Sequence, residues 1–145
     1  MILGILASHT DIPTNTIVGT VMTNLGLIRA LEVRNIQFIA TPVGDRYVLE
    51  RMLAEGHMLG GEQSGHVIMR KFANTGDGIL TALMLLQELK RSNKTLADAS
   101  TIMQKFPQVL VNVKDVAKEK LNSNEVIKSA VAKSEAELNG SGRIL

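Results

Sequence analysis

Cysteine and tryptophan are both absent from the 145 residues of this chain. Without cysteine the chain has no disulfide framework, no cysteine-ligated zinc site and no thiol nucleophile. Aromatic residues make up only 3 % of the sequence, so the core has to be built from aliphatic side chains. The three histidines, His9, His57 and His66, are too few and too scattered to indicate a metal site.

A strong excess of charge and a long apolar run are missing as well. The 16 basic and 14 acidic residues leave a net charge of +2, and no aromatic platform accompanies the basic pair Arg70–Lys71. We therefore expect no nucleic-acid partner, because nucleic-acid sites combine a basic stripe with stacking or base-reading groups. The apolar runs Met1–Ala7 and Ile79–Leu86 are too short to span a membrane, and no basic leader precedes the first. The expected location is cytoplasmic, with no membrane partner.

Strand and helix patterns alternate over the first three quarters of the chain. The nearly continuous β-branched and apolar run at 16–22 predicts a strand covered on both faces, and further strands are predicted at 37–41 and 67–69. Helices are predicted after an Asn24 cap, from Arg46 to about Glu55 with Gly56 as the terminator, and at 95–105 before Pro107. The alternation predicts an α/β layered domain.

Two helices carry predictions about burial. In the helix at 46–55 four positions suit a core-facing stripe: Tyr47, Val48, Met52 and Leu53. The helix before Ser92 is apolar nearly all round and is predicted to be mostly buried. Its cap is assigned to Asn74 or Thr75, with Asp77 in its first turn.

The character of the sequence changes after Pro107. Val109–Val113 alternates like a strand, and 124–138 reads as a polar helix followed by a turn at 139–142. A strand with no successor pairs poorly alone. We therefore interpret 108–145 as the first part of a second, incomplete α+β domain.

The segment Gly60–His66 (GGEQSGH) is the strongest candidate site. Its glycines would let backbone amides approach a ligand, and the side chains of Glu62, Ser64 and His66 can bind sugar hydroxyls. The alternative is a tight hairpin whose glycines only satisfy positive φ angles. A nucleotide-binding loop is excluded, because His66 and Val67 occupy the places of its Lys and Ser/Thr.

A second candidate lies at the strand-to-helix switch Thr41–Tyr47. Arg46 could offer a forked donor to phosphate or hydroxyl oxygens. The alternative is an Asp45 helix cap beside a solvated arginine. The pair Ser8–His9 is interpreted as a helix end running into a turn and not as a nucleophile beside its base, since no third orienting group is evident.

Four separated segments resemble, in the same order, those of the phosphoglucosamine mutases, a branch of the α-D-phosphohexomutase superfamily. They are Asn15–Gly26, Thr41–Tyr47, Gly60–His66 and Thr75–Gly78. The Gly-Glu-x-Ser-Gly-His core is shared across the superfamily, and Gln63 together with the Gly-Asp-Arg-Tyr run points to the glucosamine branch.

The resemblance implies a four-domain enzyme that interconverts glucosamine 6-phosphate and glucosamine 1-phosphate through a phosphoserine, with Mg²⁺ bound in its second domain. This chain would supply the sugar-recognition third domain, 1–107, folded as a layered α/β domain with a small mixed sheet between helices. It would also supply the N-terminal part of the phosphate-binding fourth domain, 108–145. Residues 1–12 would be the end of a preceding helix and a linker. Seven residues would form its part of the substrate site: the hydroxyl ligands Glu62 and Ser64, the loop-shaping Gly61, Gly65 and His66, and the cleft-lining Asp45 and Arg46.

The family's nucleophile loop, metal loop and phosphate loop have no counterpart in this sequence. We therefore expect no catalytic residue, no metal ligand and no turnover by the chain alone. The expected partners are a hexosamine phosphate and the remaining domains of the same enzyme, with self-association through exposed interfaces as a further hypothesis. Two alternatives stay open: part of a phosphomannomutase or phosphoglucomutase, or a stand-alone module that binds sugar phosphates weakly.

Overall fold

The computed structural model describes residues 1–9 and 12–144, apart from the side chains of residues 8, 9, 118 and 122. The elements follow in the order α1 (Ile2–His9), β1 (Thr16–Thr20), α2 (Leu25–Glu32), β2 (Gln37–Thr41), α3 (Asp45–Glu55), β3 (Leu59–Gly61), β4 (Val67–Met69), α4 (Gly78–Ser92), α5 (Leu96–Ser100), a 3₁₀ helix (Lys118–Ser123) and α6 (Glu125–Leu138). The chain divides into two compact units, Met1–Phe106 and Pro107–Leu145. Their assignment to two domains of an enzyme stays a prediction.

The first unit is built on a four-stranded mixed sheet in the order β2-β1-β3-β4. The central strand β1 runs parallel to β2 and to β3, and β3 pairs with β4 in the antiparallel sense. Every residue of β1 is buried, as its sequence predicts. The strand ends at Thr20, earlier than expected, because the amide of Thr23 turns back to the Thr20 carbonyl.

Helices cover both faces of this sheet. Successive side chains of a strand point to opposite faces. Ile17 therefore packs in a cluster with residues of α1 and α2, including Leu6 and Leu31. Val18 packs on the other face against Val48 and Met52 of α3. The predicted α/β domain with a small mixed sheet between helices is confirmed.

Three helix ends illustrate how far local signals reach. The Asn24 side chain caps α2 by accepting from the Gly26 amide, and Gly56 ends α3 with a φ of 77°, both as predicted. At α4 the predicted cap is wrong, because Asp77 itself accepts from the Leu80 amide. The chain is still extended just before Asp77, where Gly76 bridges to Ile68 of β4.

The prediction that α4 is mostly buried is wrong, and the predicted buried stripe of α3 is confirmed for only two of its four residues. In α4 only Thr81 and Glu88 are buried, while Ile79, Leu83 and Leu86 expose 77 %, 61 % and 62 % of their surface. An all-round apolar helix that packs on a single layer can bury only one of its faces. In α3, likewise, Val48 and Met52 are buried but the other two members of the predicted stripe, Tyr47 and Leu53, are exposed.

The sequence predicted that this helix would continue to Lys105, but α5 ends at Ser100. The Asn24 side chain holds the backbone of Phe106, donating to its carbonyl at 2.8 Å and accepting from its amide at 3.0 Å. Gly26 lies against the same segment, and a Cβ built on it would be 1.8 Å from the Gln104 carbonyl oxygen. These contacts with residues distant in sequence hold the non-helical backbone at the end of the first unit in place.

The second unit has a different character. The predicted helix is present as α6, capped by Asn124, but none of its residues is buried. The predicted strand Val109–Val113 does not form, since no described residue pairs with this segment, and Val109, Leu110, Val111 and Val113 are exposed. Within the described part of the chain, no helix is long and apolar enough to cross a membrane.

Candidate functional site

The candidate site lies where the connections of the parallel strands reverse direction. From β1 the chain crosses to β2 on one side, and β2 then leads over α3 to β3 on the other side of β1. In α/β sheets such a switch point opens a crevice at the carboxyl ends of the two diverging strands, and ligands gather there. The segments that leave these strand ends are Val21–Asn24 after β1 and Glu62–His66 after β3.

The segment Glu62–His66 is the loop of the hairpin formed by β3 and β4, with Gly60 and Gly61 inside strand β3. The amide of Glu62 donates to the His66 carbonyl at 2.9 Å, and the amide of Gly65 donates to the Glu62 carbonyl at 3.1 Å. These two bonds hold the short polar side chains of the loop at the end of the sheet. The turn is therefore set by backbone hydrogen bonds, which leaves the side chains available for other contacts.

The glycines of this segment serve two different purposes. Only Gly65 has a positive φ, of 109°. Gly60 has no room for a side chain, because a Cβ would lie 2.6 Å from Met52 Sδ and 2.8 Å from the Val18 carbonyl oxygen. At Gly61 a Cβ would lie 2.4 Å from the carbonyl oxygen of His66. Close packing of the sheet and the hairpin therefore accounts for two of the three glycines.

Glu62 is the most enclosed charged group of the loop, with a side chain only 10 % exposed. Its Oε1 accepts a hydrogen bond of 2.8 Å from the backbone amide of Gly44. Its Oε2 has longer contacts, 3.5 Å from Ser64 Oγ and 3.7 Å from His66 Nδ1. A carboxylate held by one oxygen, with the second loosely engaged, can accept hydrogen bonds from a bound molecule.

Ser64 and His66 complete the cluster. Ser64 Oγ lies 3.1 Å from His66 Nδ1, and the imidazole is 57 % exposed. The hydroxyl can donate or accept, and the ring can present either nitrogen according to its tautomer. The structure thus brings together the predicted residues Glu62, Ser64 and His66.

Asp45 and Arg46 are placed differently. Asp45 opens α3, and its Oδ1 accepts from the Arg46 amide at 2.8 Å. The Arg46 side chain is 81 % exposed and donates to Glu50 Oε1 on the same helix at 2.7 Å. The hydrogen bond and the charge of Glu50 raise the pKa of Arg46. The link between this loop and Glu62 is made by the Gly44 backbone, which the sequence analysis did not single out.

A cavity of about 560 Å³ opens beside the loop, within the size range of small-molecule sites. Glu62, Gln63 and Gly65 line it from one side, and Thr23 and Asn24 line it from the end of β1. Lys105 contributes a cation to the lining. The sequence analysis missed Thr23 and Asn24 as site residues, although their position just after the central strand could have indicated them.

The family follows from a comparison with known sequences. Residues 1–106 match the family described as phosphoglucomutase/phosphomannomutase, alpha/beta/alpha domain III. This chain belongs to that family. The phosphohexomutase fold assigned from its motifs is therefore confirmed for the unit that carries the sheet and the cavity.

The most similar curated proteins include several phosphoglucosamine mutases. The chain is 52 % identical over 131 residues to the phosphoglucosamine mutase of Bacillus pumilus, covering 90 % of this chain and 29 % of that protein. It is 49 % identical over 140 residues to the phosphoglucosamine mutase of Bacillus licheniformis, covering 97 % of this chain and 31 % of that protein. The phosphohexomutase chain thus spans about a third of the length of these relatives.

Solved structures agree with the family. A Thermus thermophilus protein described as a phosphomannomutase matches with a TM-score of 0.62 and 28 % identity, covering 70 % of this chain and 24 % of that one. An N-acetylglucosamine-phosphate mutase of the α-D-phosphohexomutase superfamily matches with a TM-score of 0.58 and 19 % identity, covering 91 % of this chain and 33 % of that one. The second match supports the fold alone.

Proposed function

We propose that this chain is the sugar-recognition part of a phosphoglucosamine mutase, an isomerase that interconverts glucosamine 6-phosphate and glucosamine 1-phosphate. The observation that carries the proposal is the enclosed Glu62 carboxylate, which lines the cavity, is held at one oxygen by a 2.8 Å hydrogen bond and has only longer contacts at the other. The names of the relatives, at about 50 % identity, support the choice of the glucosamine branch.

The residue roles in this proposal follow from hydrogen-bonding capacity. Glu62 accepts from sugar hydroxyls and Ser64 donates or accepts. Gly61, Gly65 and His66 shape the loop, and Asp45 and Arg46 line the cleft beside it. A loop that binds hydroxyls and leaves the phosphate free tolerates a substrate that reverses its orientation between two phosphoryl transfers. Such positioning is the main part of catalysis in phosphoryl transfer.

The transfer chemistry would come from other parts of a full-length enzyme. A phosphoserine would donate the phosphoryl group, Mg²⁺ would neutralise its charge, and a fourth-domain loop would hold the second phosphate. No group of three or more His, Cys, Asp or Glu among the described residues is arranged to hold a metal ion. As the family resemblance implies, we propose that the Mg²⁺ ligands lie in another domain of the full-length enzyme. The phosphate-binding role of 108–145 and a cytoplasmic location belong to the same proposal.

Ligand titration of the isotope-labelled chain tests the sugar site. Glucosamine 6-phosphate is expected to shift amide resonances at 60–66 with a millimolar dissociation constant, about −4 kcal/mol, because one loop makes few contacts. Glu62→Gln is expected to weaken these shifts, while Glu32→Gln, in an exposed pair with Arg29 on α2, serves as the matched control. Unchanged spectra at high ligand concentration, or equal responses of the two variants, would contradict the proposal.

A mutase assay tests the expectation that recognition and chemistry are separate. The purified chain with glucosamine 6-phosphate, Mg²⁺ and a bisphosphate primer is expected to show no turnover. Turnover in a preparation free of host enzyme would show that a nucleophile lies within this chain.

A phosphomannomutase or phosphoglucomutase is the second candidate, favoured by the structural match to the Thermus protein. Parallel titrations with mannose 6-phosphate and glucose 6-phosphate separate the two, because each branch should prefer its own sugar. A preference for either hexose over the amino sugar would move the assignment to that branch. The stand-alone module is tested by adding the remaining domains of a relative to this chain. If they do not strengthen its binding of the sugar phosphate, the result would favour a stand-alone binding module.

The remaining domains of the enzyme are the partners we propose for the apolar face of α4. An exposed apolar stripe on α4 is formed by Ile79, Leu83 and Leu86. The match covers only 29 % of the Bacillus pumilus relative, so more than twice as much of that protein lies outside the matched region as inside it. Leu83→Glu is expected to leave the stability of this chain unchanged and to weaken its binding to the remaining domains of the Bacillus pumilus relative. Concentration-dependent light scattering that Leu83→Glu abolishes would favour self-association instead.

A further inference from the structure

The contact between Gly44 and Glu62 joins two loops that are 18 residues apart in sequence. The Gly44 amide donates to Glu62 Oε1 at 2.8 Å. Gly44 is also the N-terminal cap residue of α3, an 11-residue helix. The donor therefore lies at the positive end of a helix dipole, which favours a carboxylate at this place. A hydrogen bond to a charged acceptor is also stronger than a neutral one.

The backbone of Gly44 has a conformation that suits this contact and that other residues avoid. Its φ is 135° and its ψ is 127°. Only glycine adopts such angles without steric cost. A Cβ at this position would in addition lie 3.1 Å from the ring of Tyr47. The amide direction at position 44 thus depends on the absence of a side chain.

The two oxygens of Glu62 have unequal surroundings. Oε1 is taken by the Gly44 amide, while Oε2 has a 3.5 Å contact with Ser64 Oγ and a 3.7 Å separation from His66 Nδ1. A carboxylate with no fixed partner would rotate between several positions, and ordering it on binding costs conformational entropy. One strong bond removes most of that freedom before a ligand arrives.

We propose that Gly44 is a positioning residue for Glu62. Its amide fixes one carboxylate oxygen, so that the other is preoriented to accept from the hydroxyls of a sugar phosphate in the cavity. The Thr41–Tyr47 segment then contributes to the site through its backbone, whatever its charged side chains do. The inference rests on the proposed function for the identity of the ligand, but the held carboxylate is testable without any ligand.

The first experiment follows the Gly44 amide proton in the ligand-free, ¹⁵N-labelled full chain as the pH is lowered. Its resonance is expected to move when Glu62 takes up a proton, because the acceptor of the hydrogen bond loses its charge. The transition should vanish in Glu62→Gln and persist in Asp45→Asn, which removes the neighbouring carboxylate. A Gly44 resonance that titrates identically in Glu62→Gln would overturn the inference.

The second experiment compares two glycines at opposite ends of α3. Gly44→Ala is expected to weaken glucosamine 6-phosphate binding about 3- to 10-fold, the value of one lost hydrogen bond. Gly56→Ala is the control, since Gly56 also has a positive φ, of 77°, with no atom near its missing side chain. It should leave the dissociation constant within about 2-fold of the original. Equal losses in the two variants would reduce the effect to backbone strain and overturn the inference.

The outcomes separate this inference from the function on which it rests. If the unaltered chain binds no sugar phosphate but Gly44 senses Glu62, the proposed function fails and the held carboxylate stands. If the chain binds and Gly44→Ala binds equally well, only the positioning role fails. If Gly44→Ala does not fold, as judged by its thermal unfolding, the pH titration of the unaltered chain and of Glu62→Gln still decides whether the Gly44 amide holds the Glu62 carboxylate.

Discussion

The two compact units contain similar local signals but bury very different amounts of side chain. In Met1–Phe106 the central strand β1 is wholly buried, and apolar clusters lie on both faces of the sheet. In Pro107–Leu145 a well-capped helix of 14 residues buries none of them, and the apolar run Val109–Val113 is exposed. Patterning and capping are therefore enough to form a helix, whereas a core needs a second layer to pack against.

The largest expected effect comes from one truncation in each unit. Met52→Ala removes a fully buried side chain packed between α3 and the sheet. It is expected to lower the free energy of unfolding by about 3 kcal/mol, the usual cost of such a cavity. Val111→Ala, on the exposed segment, is expected to change it by less than about 0.5 kcal/mol. Urea denaturation followed by circular dichroism measures both, and similar losses would contradict the contrast between the units.

The two asparagine caps sharpen the comparison. The Asn24 side chain accepts from the Gly26 amide and bonds both backbone groups of Phe106. The Asn124 side chain accepts from two amides of its own helix, those of Val126 and Ile127. Asn24→Ala is expected to cost about 2 kcal/mol, because it removes a cap and leaves partners unpaired. Asn124→Ala should lower the helical signal slightly and leave the unfolding of the sheet unit unchanged. A larger loss of stability in Asn124→Ala than in Asn24→Ala would reverse the order.

The smallest expected effect is an acid sensitivity of the first unit. Hydrogen bonds from His57 and Arg51 hold the pKa of Glu55 below its ordinary value of about 4.5. The pKa of Glu55 is lower in the folded state than in the unfolded state. The ionised Glu55 carboxylate therefore contributes to the free energy of unfolding above about pH 4.5, and this contribution is lost as the pH falls through the folded-state pKa. Glu55→Gln is expected to reduce this loss in denaturation curves collected between pH 6 and pH 3 (about the range in which carboxyls titrate).

The control for this measurement lies in the second unit. Glu125 forms an exposed ion pair of 2.9 Å with Lys128. Exposed pairs contribute little to stability. Glu125→Gln should therefore leave the acid dependence as it is, and a flattening equal to that of Glu55→Gln would show that the sensitivity is not specific to the first unit.

Much of the candidate site could be predicted from the sequence, since Glu62, Ser64 and His66 follow one another in a short hairpin loop. Their proximity requires nothing beyond the turn. The Gly44 contact could not be predicted, because it depends on how α3 is positioned beside the hairpin. The cavity walls at Thr23, Asn24 and Lys105 come from separate parts of the chain for the same reason.

The sequence by itself determined the local elements of this protein: the β-branched and apolar strand β1, the caps at Asn24 and Asn124, the stop at Gly56 and the hairpin at Glu62–His66. These depend on interactions between residues a few positions apart. The tertiary structure decided which face of α4 is buried, where α5 ends and whether Val109–Val113 pairs as a strand. It also decided which backbone amide holds the Glu62 carboxylate. Each of these outcomes depends on a partner distant in sequence, and hydrophobic periodicity does not identify that partner.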